Sequence, residues 1–437
     1  MSDIDQVAIS GEPISPTDRT LPPSNPIELD EHETTNPFQM SEEDIEFLQS
    51  LNADPKPISI EFMANGEVQL SAAEHVGVVT TPSGLQIQVT PKQTITNLLW
   101  ALQFAFDIDA QTVDATTELS SARTFVDALG ALYANAVEDI LDQGLHRDYV
   151  RRQEVANQVR GRIDLTKQLQ RSTPVPTDFE IEYDAHTADT ILNQGILTAS
   201  RKLVSLVNDS DIANQLDYQR NRLRKHVSKE LVTPTELEQV NLTRLNQYYE
   251  TALSIARIIL TEDFFEDISP GERQSFALFL NMNHIFETMV ERAFREASSK
   301  ISNGVYVDGQ ASIPNLIDGS HAVSMRPDVL VSHSETGPQI VADAKWKTRD
   351  SSSSSDVYQL TSYILALETP GLIVYPQQSL SEKASSTVDE EYPLRSITLP
   401  TAAPCETYEE YKQELIDAAG AALEQSYDEM GKSFDIT

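Results

Sequence analysis

Cysteine is nearly absent from the sequence, and histidine shows no metal-binding pattern. The chain has 437 residues and a single cysteine, Cys405, which excludes an internal disulfide and any zinc cluster of several cysteines. The eight histidines show neither HxH nor HExxH spacing, so a histidine-based zinc site is not expected. The composition therefore argues against a structural zinc module.

Long apolar runs are also absent. No stretch reaches the roughly 18 apolar residues that a membrane-spanning helix needs. The N-terminal residues MSDIDQVAISGEP have neither a basic n-region nor an apolar h-region, so they do not form a signal peptide. Together with the single cysteine, these absences predict a soluble cytoplasmic protein without a membrane partner.

Basic residues are scarce relative to acidic ones. The chain has 68 acidic and 32 basic residues, of which 12 are lysine and 20 arginine, and its net charge is −36. This charge fits three interpretations: a protein that avoids nucleic acid, a chain with one acidic tail, or a surface adapted to a salty cytoplasm. Residues 1–60 carry only −11 of the total. The remaining −25 is spread along the chain, which favours a halophilic protein. At molar salt the Debye length is about 3 Å, so acidity does not exclude a DNA substrate.

The pattern of residues along the chain divides it into four parts, and the length suits two or three folded domains. Residues 1–37 contain six prolines and no aromatic residue, which predicts a disordered acidic tail. Residues 38–95 alternate apolar and polar positions, which predicts a small β-rich N-terminal domain. Residues 96–270 have mainly helical spacing, and residues 271–437 return to mixed strands and helices. The predicted fold class is α+β, with several domains.

One stretch in the last part, MRPDVLVSHSETGPQIVADAKWK at residues 325–347, has a pattern suited to chemistry. Asp328 opens one predicted strand, while Asp343 and Lys345 lie near the end of the next and share a face because they are two apart. The apolar run before them indicates an interior strand, where such charges must be paired or bind a metal. Two carboxylates and a main-chain carbonyl suit Mg²⁺, and with a lysine they suit phosphodiester hydrolysis. An ordinary strand-end ion pair is the alternative.

The helices on either side of this stretch offer further candidates. Glu287 lies at the rim of an apolar helical stripe, from which it would reach the site as a third acid, or it is simply solvated. Gln359 and Tyr363 are four residues apart on the later helix and share a face, where they either support the site or pack. Lys347 faces the same side as Lys345 and is expected to be peripheral. Asp356 is expected to cap the later helix.

The motifs RPD at 326–328 and DAK at 343–345 resemble the PD-(D/E)XK nuclease superfamily. An ordered set of segments resembles more specifically the McrC family, the nuclease subunits of McrBC restriction systems that act on modified cytosine. The resemblance covers roughly residues 57–376. The segments that carry it are residues 76–92, 159–169, 183–197, 282–294 and 325–376.

The resemblance implies a nuclease core with a central mixed sheet in residues 271–437. It assigns roles to the residues already singled out: Asp328, Asp343 and Glu287 as metal ligands for Mg²⁺ or Mn²⁺, Lys345 as the catalytic lysine, and Gln359, Tyr363 and Lys347 as supporting residues. It also implies a McrB-like AAA+ GTPase partner that docks on the middle region 96–270 and hydrolyses GTP faster as a result. The implied substrate is double-stranded DNA with modified cytosine. The chain has no GxxxxGK[ST] loop, so it should bind no nucleotide itself.

Two basic stretches run against the overall charge. They would contact DNA phosphates, dock an acidic partner or balance local acids. Their main candidates are Arg151, Arg152, Arg160, Arg162, Arg222 and Arg224. Two other functions stay open: a non-catalytic activator of the GTPase, and a stand-alone repair nuclease of the same superfamily.

Overall fold

The fold was analysed in a computed structural model. The structure describes residues 22, 24–51, 55–108, 124–170, 178–228, 231–261, 264–267, 275–301, 304–313, 325–347, 354–377 and 385–429. None of the helices within these ranges is long and apolar enough to cross a membrane.

The N-terminal part is built on a five-stranded mixed sheet in the order β1-β5-β4-β10-β9. Successive side chains of a strand point to opposite faces of the sheet, and both faces of this sheet are covered. Leu278 and Leu280 face the helical bundle, whereas Ala277 and Phe279 face a second, smaller core. The five strands are β1 (Ile27–Asp30), β4 (His75–Thr80), β5 (Gln86–Thr90), β9 (Phe264–Asp267) and β10 (Ser275–Asn281).

The smaller core lies under a two-stranded ribbon and one helix. The ribbon pairs β2 (Ile58–Phe62) with β3 (Val68–Ala72). Helix α1 (Glu42–Ser50) begins after Ser41, whose side chain accepts a hydrogen bond from the Asp44 amide. Phe47 of this helix packs against the sheet.

The middle of the chain is a helical bundle with one separate sheet. The helices are α2 (Ile95–Phe106), α3 (Phe125–Gln143), α4 (Leu165–Gln170), α5 (Ile191–Leu206), α6 (Ser210–Leu223), α7 (Pro234–Glu238) and α8 (Glu250–Thr261), with a 3₁₀ turn at Gln247–Tyr249. The three-stranded sheet is antiparallel in the order β6-β8-β7. Its strands are β6 (Asp148–Ala156), β7 (Arg162–Ile163) and β8 (Phe179–Thr187).

The C-terminal part is a six-stranded mixed sheet between helices, in the order β11-β12-β13-β14-β16-β15. Strands β13 and β14, and β14 and β16, run parallel. The strands are β11 (Val305–Gly309), β12 (Val329–His333), β13 (Gly337–Ala344), β14 (Gly371–Pro376), β15 (Ser385–Val388) and β16 (Tyr392–Leu399). The helices are α9 (Met282–Ile301), α10 (Ser354–Leu367) and α11 (Tyr408–Glu429).

The predicted tail is wrong for its last part. Ile27 and Leu29 of β1 are buried, and the strand pairs in parallel with β5. The local sequence suggested disorder because it is rich in proline and acid, but its few apolar residues fill a core formed by distant strands. Residues 1–21 of the predicted tail lie outside the described residues.

The predicted boundary at residue 271 also differs from the fold. It lies outside the described residues, but β9 and β10 on either side of it pair with each other, and β10 pairs with β4. The N-terminal sheet therefore extends beyond 38–95 in both directions and closes with residues up to Asn281. Helix α9 follows β10 directly, so the chain passes from the first sheet to the last part without a linker.

We expect Leu29→Ala to lower the free energy of unfolding by about 2 to 5 kcal/mol, because Leu29 is 3% exposed in the core of the N-terminal sheet. The exposed neighbour Glu28 provides the control, and Glu28→Ala should change stability by less than about 0.5 kcal/mol. Chemical denaturation measures both. Equal stability of Leu29→Ala and wild type would mean that β1 is not part of the folded core.

Candidate active site

The two aspartates meet where β12 begins and β13 ends. Val329 of β12 lies opposite Ala342 of β13, so Asp328 and Asp343 are brought side by side at this edge. The amide of Ala344 donates a hydrogen bond of 2.7 Å to Asp328 Oδ2, which fixes the first carboxylate to the end of the second strand. Asp343 is 1% exposed. The site therefore holds one buried and one half-buried acid on adjacent strand ends.

Lys345 extends β13 by one residue and neutralises part of this charge. Its amide donates to the carbonyl of Val374 on β14, at 2.9 Å. Its Nζ lies 2.6 Å from Asp343 Oδ2. The alternation of the strand places Lys345 on the same face as Asp343, as predicted from their spacing. The main chain is thus held by a neighbouring strand while the ammonium group reaches the site.

Helix α10 connects the lysine to the segment that precedes Asp328. Gln359 Oε1 accepts from Lys345 Nζ at 3.5 Å, and Gln359 Nε2 donates to the Tyr363 hydroxyl at 2.9 Å. That hydroxyl donates to the main-chain carbonyl of Arg326 at 3.2 Å. Gln359 and Tyr363 therefore form a chain of hydrogen bonds from Lys345 to the main chain at Arg326. Both side chains take part because their four-residue spacing puts them on one face of the helix.

Glu287 reaches the same site from helix α9. Burial raises the pKa of Glu287; the positive charge of Lys345 opposes this rise and the negative charge of Asp343 adds to it. These interactions place Glu287 within electrostatic reach of the strand-end charges. Of the other two acids on this helix, Glu291 forms an ion pair with Arg295 and Glu296 forms one with Arg292.

The aspartates repel each other in a buried setting. Burial raises the pKa of Asp328 to about 7, and the negative charges of Asp343 and Glu287 add to this rise. Burial also raises the pKa of Asp343, although Lys345 opposes that shift. Ionising Asp328 beside Asp343 is therefore unfavourable.

The lysine stays protonated in this field. Burial alone would lower the pKa of Lys345, but the attraction of Asp343, Asp328 and Asp356 outweighs burial and raises it. The ammonium group is accordingly a fixed positive charge at neutral pH, which suits it to stabilising a developing negative charge or orienting a water.

Two acids that the sequence did not assign to the site lie at its margin. Asp356 was expected to cap helix α10, but the helix begins at Ser354 and Asp356 lies in its first turn, where it forms an ion pair with Lys347. Lys347 is therefore engaged beside the site, consistent with its expected peripheral place. Glu31 accepts a hydrogen bond of 2.7 Å from the indole Nε1 of Trp346. A contact across 315 positions leaves no signal in the local pattern.

Residues 70–376 match the family described as McrBC 5-methylcytosine restriction system component. The match covers well over half of the chain. The chain is a member of the McrC family. This match confirms the resemblance seen in the sequence. Glu31, which contacts Trp346, lies before the matched region.

A curated relative of this McrC-family chain is the type IV methyl-directed restriction enzyme EcoKMcrBC of Escherichia coli (strain K12), which is 22% identical over 359 residues. The alignment covers 75% of the chain and 97% of the relative. Among solved structures, a refined half-complex from a tetradecameric assembly of Thermococcus gammatolerans McrB AAA+ hexamers with bound McrC matches with a TM-score of 0.59. Identity there is 16%, with 90% of this chain and 100% of that one covered. This likeness supports the same overall fold.

Four of the six candidate arginines of this McrC-family chain are paired with acids of the chain itself. Arg162 and Arg151 both contact Glu182. Arg152 pairs with Asp189, and Arg222 pairs with Glu138 at 3.1 Å. Arg160 and Arg224 are exposed at the surface. The arrangement favours the balancing of local acids for the four paired arginines.

The donor set of the strand-end site fits a hard divalent cation. Asp328 and Asp343 supply carboxylate oxygens that Mg²⁺ prefers, and their raised pKa values show that the charges there are under-neutralised. Among the described residues, however, no three His, Cys, Asp or Glu side chains converge closely enough to hold a metal ion. The fit therefore rests on the two aspartates, with Glu287 further away.

We expect Asp328→Asn to stabilise the metal-free protein at alkaline pH. The folded protein raises the pKa of this carboxyl from 3.8 to about 7, so its ionisation imposes a penalty that is absent below pH 3.8 and complete above pH 7. At pH 8 the variant should exceed wild type by about 2 to 4 kcal/mol in free energy of unfolding. The gain should shrink as the pH falls toward 4. Chemical denaturation in EDTA at several pH values measures it.

The double variant Asp328→Asn/Asp343→Asn is the control for that result. Removing either charge already relieves the repulsion between the two aspartates, so the double variant should gain less than the sum of the single gains. Equal stability of wild type and Asp328→Asn at pH 8 would show that these carboxyls do not repel each other.

Proposed function

We propose that this McrC-family chain is the DNA endonuclease subunit of a McrBC-like restriction system. The observation that carries the proposal is the convergence of Asp328, Asp343 and Lys345 at the ends of β12 and β13. Buried like charges beside a protonated lysine are costly for a structural ion pair. They are useful where a phosphodiester must be bound and cleaved. We assign these residues to a PD-(D/E)XK core within the six-stranded sheet.

The side chains divide the chemistry between them. Lys345 offsets the negative charge that builds on the phosphate oxygens and orients the attacking water. Gln359 accepts from Lys345 and holds the ammonium group in place through Tyr363. Glu287 of helix α9, whose pKa is raised by burial, is the third acid that we assign to the site.

The aspartates hold the metal in this proposal. Asp328 and Asp343, with a main-chain carbonyl and waters, would bind Mg²⁺ or Mn²⁺. When bound, the cation lowers the pKa of a coordinated water and polarises the phosphate. The same positive charge relieves the repulsion between the two carboxylates, so binding should also stabilise the fold.

The proposed substrate and partner follow from the relatives. The Escherichia coli relative is called a methyl-directed restriction enzyme, and the Thermococcus structure contains McrB AAA+ hexamers. We accordingly propose double-stranded DNA with modified cytosine as the substrate and a McrB-like AAA+ GTPase as the partner. An activator without nuclease activity is the second candidate, but it does not require the complete set of site residues that this chain retains.

The separate three-stranded sheet is our candidate for the docking surface on the ring. Strand β6 is exposed along nearly its whole length. Apolar side chains stand out beside it, among them Val155, Leu165 and Leu169, the last of which is 84% exposed. An isolated sheet with apolar residues in solvent is typical of a surface that a partner covers. We therefore propose that the partner docks within the middle region 96–270.

We expect Leu169→Glu to weaken the stimulation of the partner's GTP hydrolysis by about tenfold, because a charge would be buried at the interface. The fold of the chain should be unaffected, since Leu169 is exposed. Leu245 is 80% exposed on another part of the bundle, so Leu245→Glu is the matched control. A GTPase assay with titrated chain distinguishes them, and equal stimulation by both variants would remove this sheet from the interface.

Cleavage of plasmid DNA tests the central proposal. The chain, its McrB-like partner, GTP and Mg²⁺ are combined with methylated or unmethylated plasmid at high KCl. We expect cutting of methylated DNA only, and a fall of at least about 100-fold in Lys345→Ala because the fixed positive charge is lost. The partner's GTP hydrolysis should stay stimulated.

Lys412→Ala is the control, since Lys412 pairs with Glu296 away from the site. If wild type never cuts while GTP hydrolysis still rises, the activator function replaces the nuclease. Loss of both activities in Lys345→Ala would instead mark Lys345 as structural.

A further inference from the structure

Glu31 is held by a tight turn at the end of β1. The amide of Glu33 donates to the carbonyl of Asp30 at 3.0 Å, and the Glu33 carboxylate accepts from the Asp30 amide at 2.8 Å. His32 has a φ of 64°, a left-handed conformation that histidine adopts more readily than most residues. The Asp30 side chain accepts from Thr90 of β5. The turn therefore fixes the position of Glu31 before any contact with the last part of the chain.

The carboxylate of Glu31 is buried and satisfied by two neutral donors. It is 3% exposed. Its Oε1 accepts from the Lys92 amide at 3.2 Å, and its Oε2 accepts from Trp346 Nε1 at 2.7 Å. A buried charged acceptor makes stronger hydrogen bonds than a neutral one, and losing one donor is correspondingly costly. The indole contact is therefore a firm link between the N-terminal sheet and the strand that carries the lysine.

Trp346 transmits this link to Lys345. Its indole is buried and packs on Phe286 of α9, with ring centroids 5.5 Å apart. The chain turns sharply around it, because the Lys347 amide donates to the Lys345 carbonyl at 2.9 Å. A displacement of the Trp346 side chain would therefore move the end of β13. Phe286 precedes Glu287 on α9, so this ring contact joins the segment that carries Lys345 to the helix that carries Glu287.

We propose that the buried Glu31–Trp346 hydrogen bond is a positioning element that holds Lys345 in its working place. The proposal rests on the nuclease function proposed above. It gives a catalytic consequence to a residue that lies before residue 70, where the match to the family model begins. Glu31 and Trp346 do not touch the reacting atoms and act through the strand end.

Two variants break the link in different ways. Trp346→Phe keeps an aromatic ring against Phe286 but removes the indole N–H. Glu31→Gln replaces one acceptor oxygen by an amide N–H group, which would face either the Lys92 amide or the Trp346 indole N–H. We expect each to slow single-turnover cleavage of methylated DNA by about tenfold or more, because small misplacements of a catalytic group are costly. The double variant should be no slower than the slower single variant, since both remove one interaction.

A second readout follows the lysine without requiring activity. Lys345 is protected by burial and by its pair with Asp343, so its rate of modification by trinitrobenzenesulfonate, mapped by mass spectrometry, reports its placement. We expect modification of Lys345 to rise at least about threefold in both variants, in proportion to the population freed from the pair. Lys412, which pairs with Glu296, should be unchanged and serves as the internal reference.

Thr401→Val is the matched control for loss of a hydrogen bond. Thr401 accepts from the Gln93 side chain at 2.8 Å and also joins the front of the chain to its C-terminal part, but away from Lys345. It should leave cleavage and Lys345 modification unchanged. Cleavage and Lys345 modification like wild type in both Glu31→Gln and Trp346→Phe would overturn the proposal. So would equal increases at Lys345 and Lys412, which would indicate general loosening. If wild type does not cleave DNA, the nuclease function fails, and the modification rates still decide whether the link positions Lys345.

Discussion

The repulsion between the carboxylates of buried Asp343 and half-buried Asp328 is the constraint around which the last part of this protein is organised. Asp328 and Asp343 are held at adjacent strand ends, where burial raises the pKa of both. Such an arrangement survives only because other groups oppose it: an amide hydrogen bond to Asp328, the ammonium group of Lys345, and strands that leave the side chains no alternative position. The free energy stored in this repulsion is available for binding a cation. The repulsion therefore lowers the stability of the fold at the site where we propose that catalysis takes place.

Much of this site could be predicted from the sequence, because its main residues follow patterns within a single strand or helix. The two-residue spacing of Asp343 and Lys345 fixes their common face, and the four-residue spacing of Gln359 and Tyr363 does the same on a helix. The apolar run before Asp343 already indicated an interior strand. Each of these inferences needs only the periodicity of one element, and the fold places those elements together as the pattern required.

The remaining features depend on contacts between distant parts of the chain. Residues 27–37 have the composition of a disordered tail. Residues 27–30 nevertheless form β1, because they pair with β5, which comes much later in the chain. Trp346 donates a hydrogen bond to Glu31, which lies 315 positions earlier in the chain. Lys347 forms an ion pair with Asp356 of the following helix. For the arginines the sequence left phosphate contact, partner docking and the balancing of local acids open, and the fold brings Arg151 and Arg162 to one buried acid, Glu182. Local charge does not reveal which partners the fold supplies.

The direct continuation of β10 into α9 has a consequence for how such a protein can be divided. The helix that carries Glu287 starts at Met282, directly after β10, which pairs with β4 on one side and β9 on the other. A fragment that begins near residue 271 would carry β10 stripped of both neighbouring strands, with Leu278 and Phe279 uncovered. The last part of the chain is therefore not an interchangeable module. Any exchange of that part between relatives would have to include the front sheet as well.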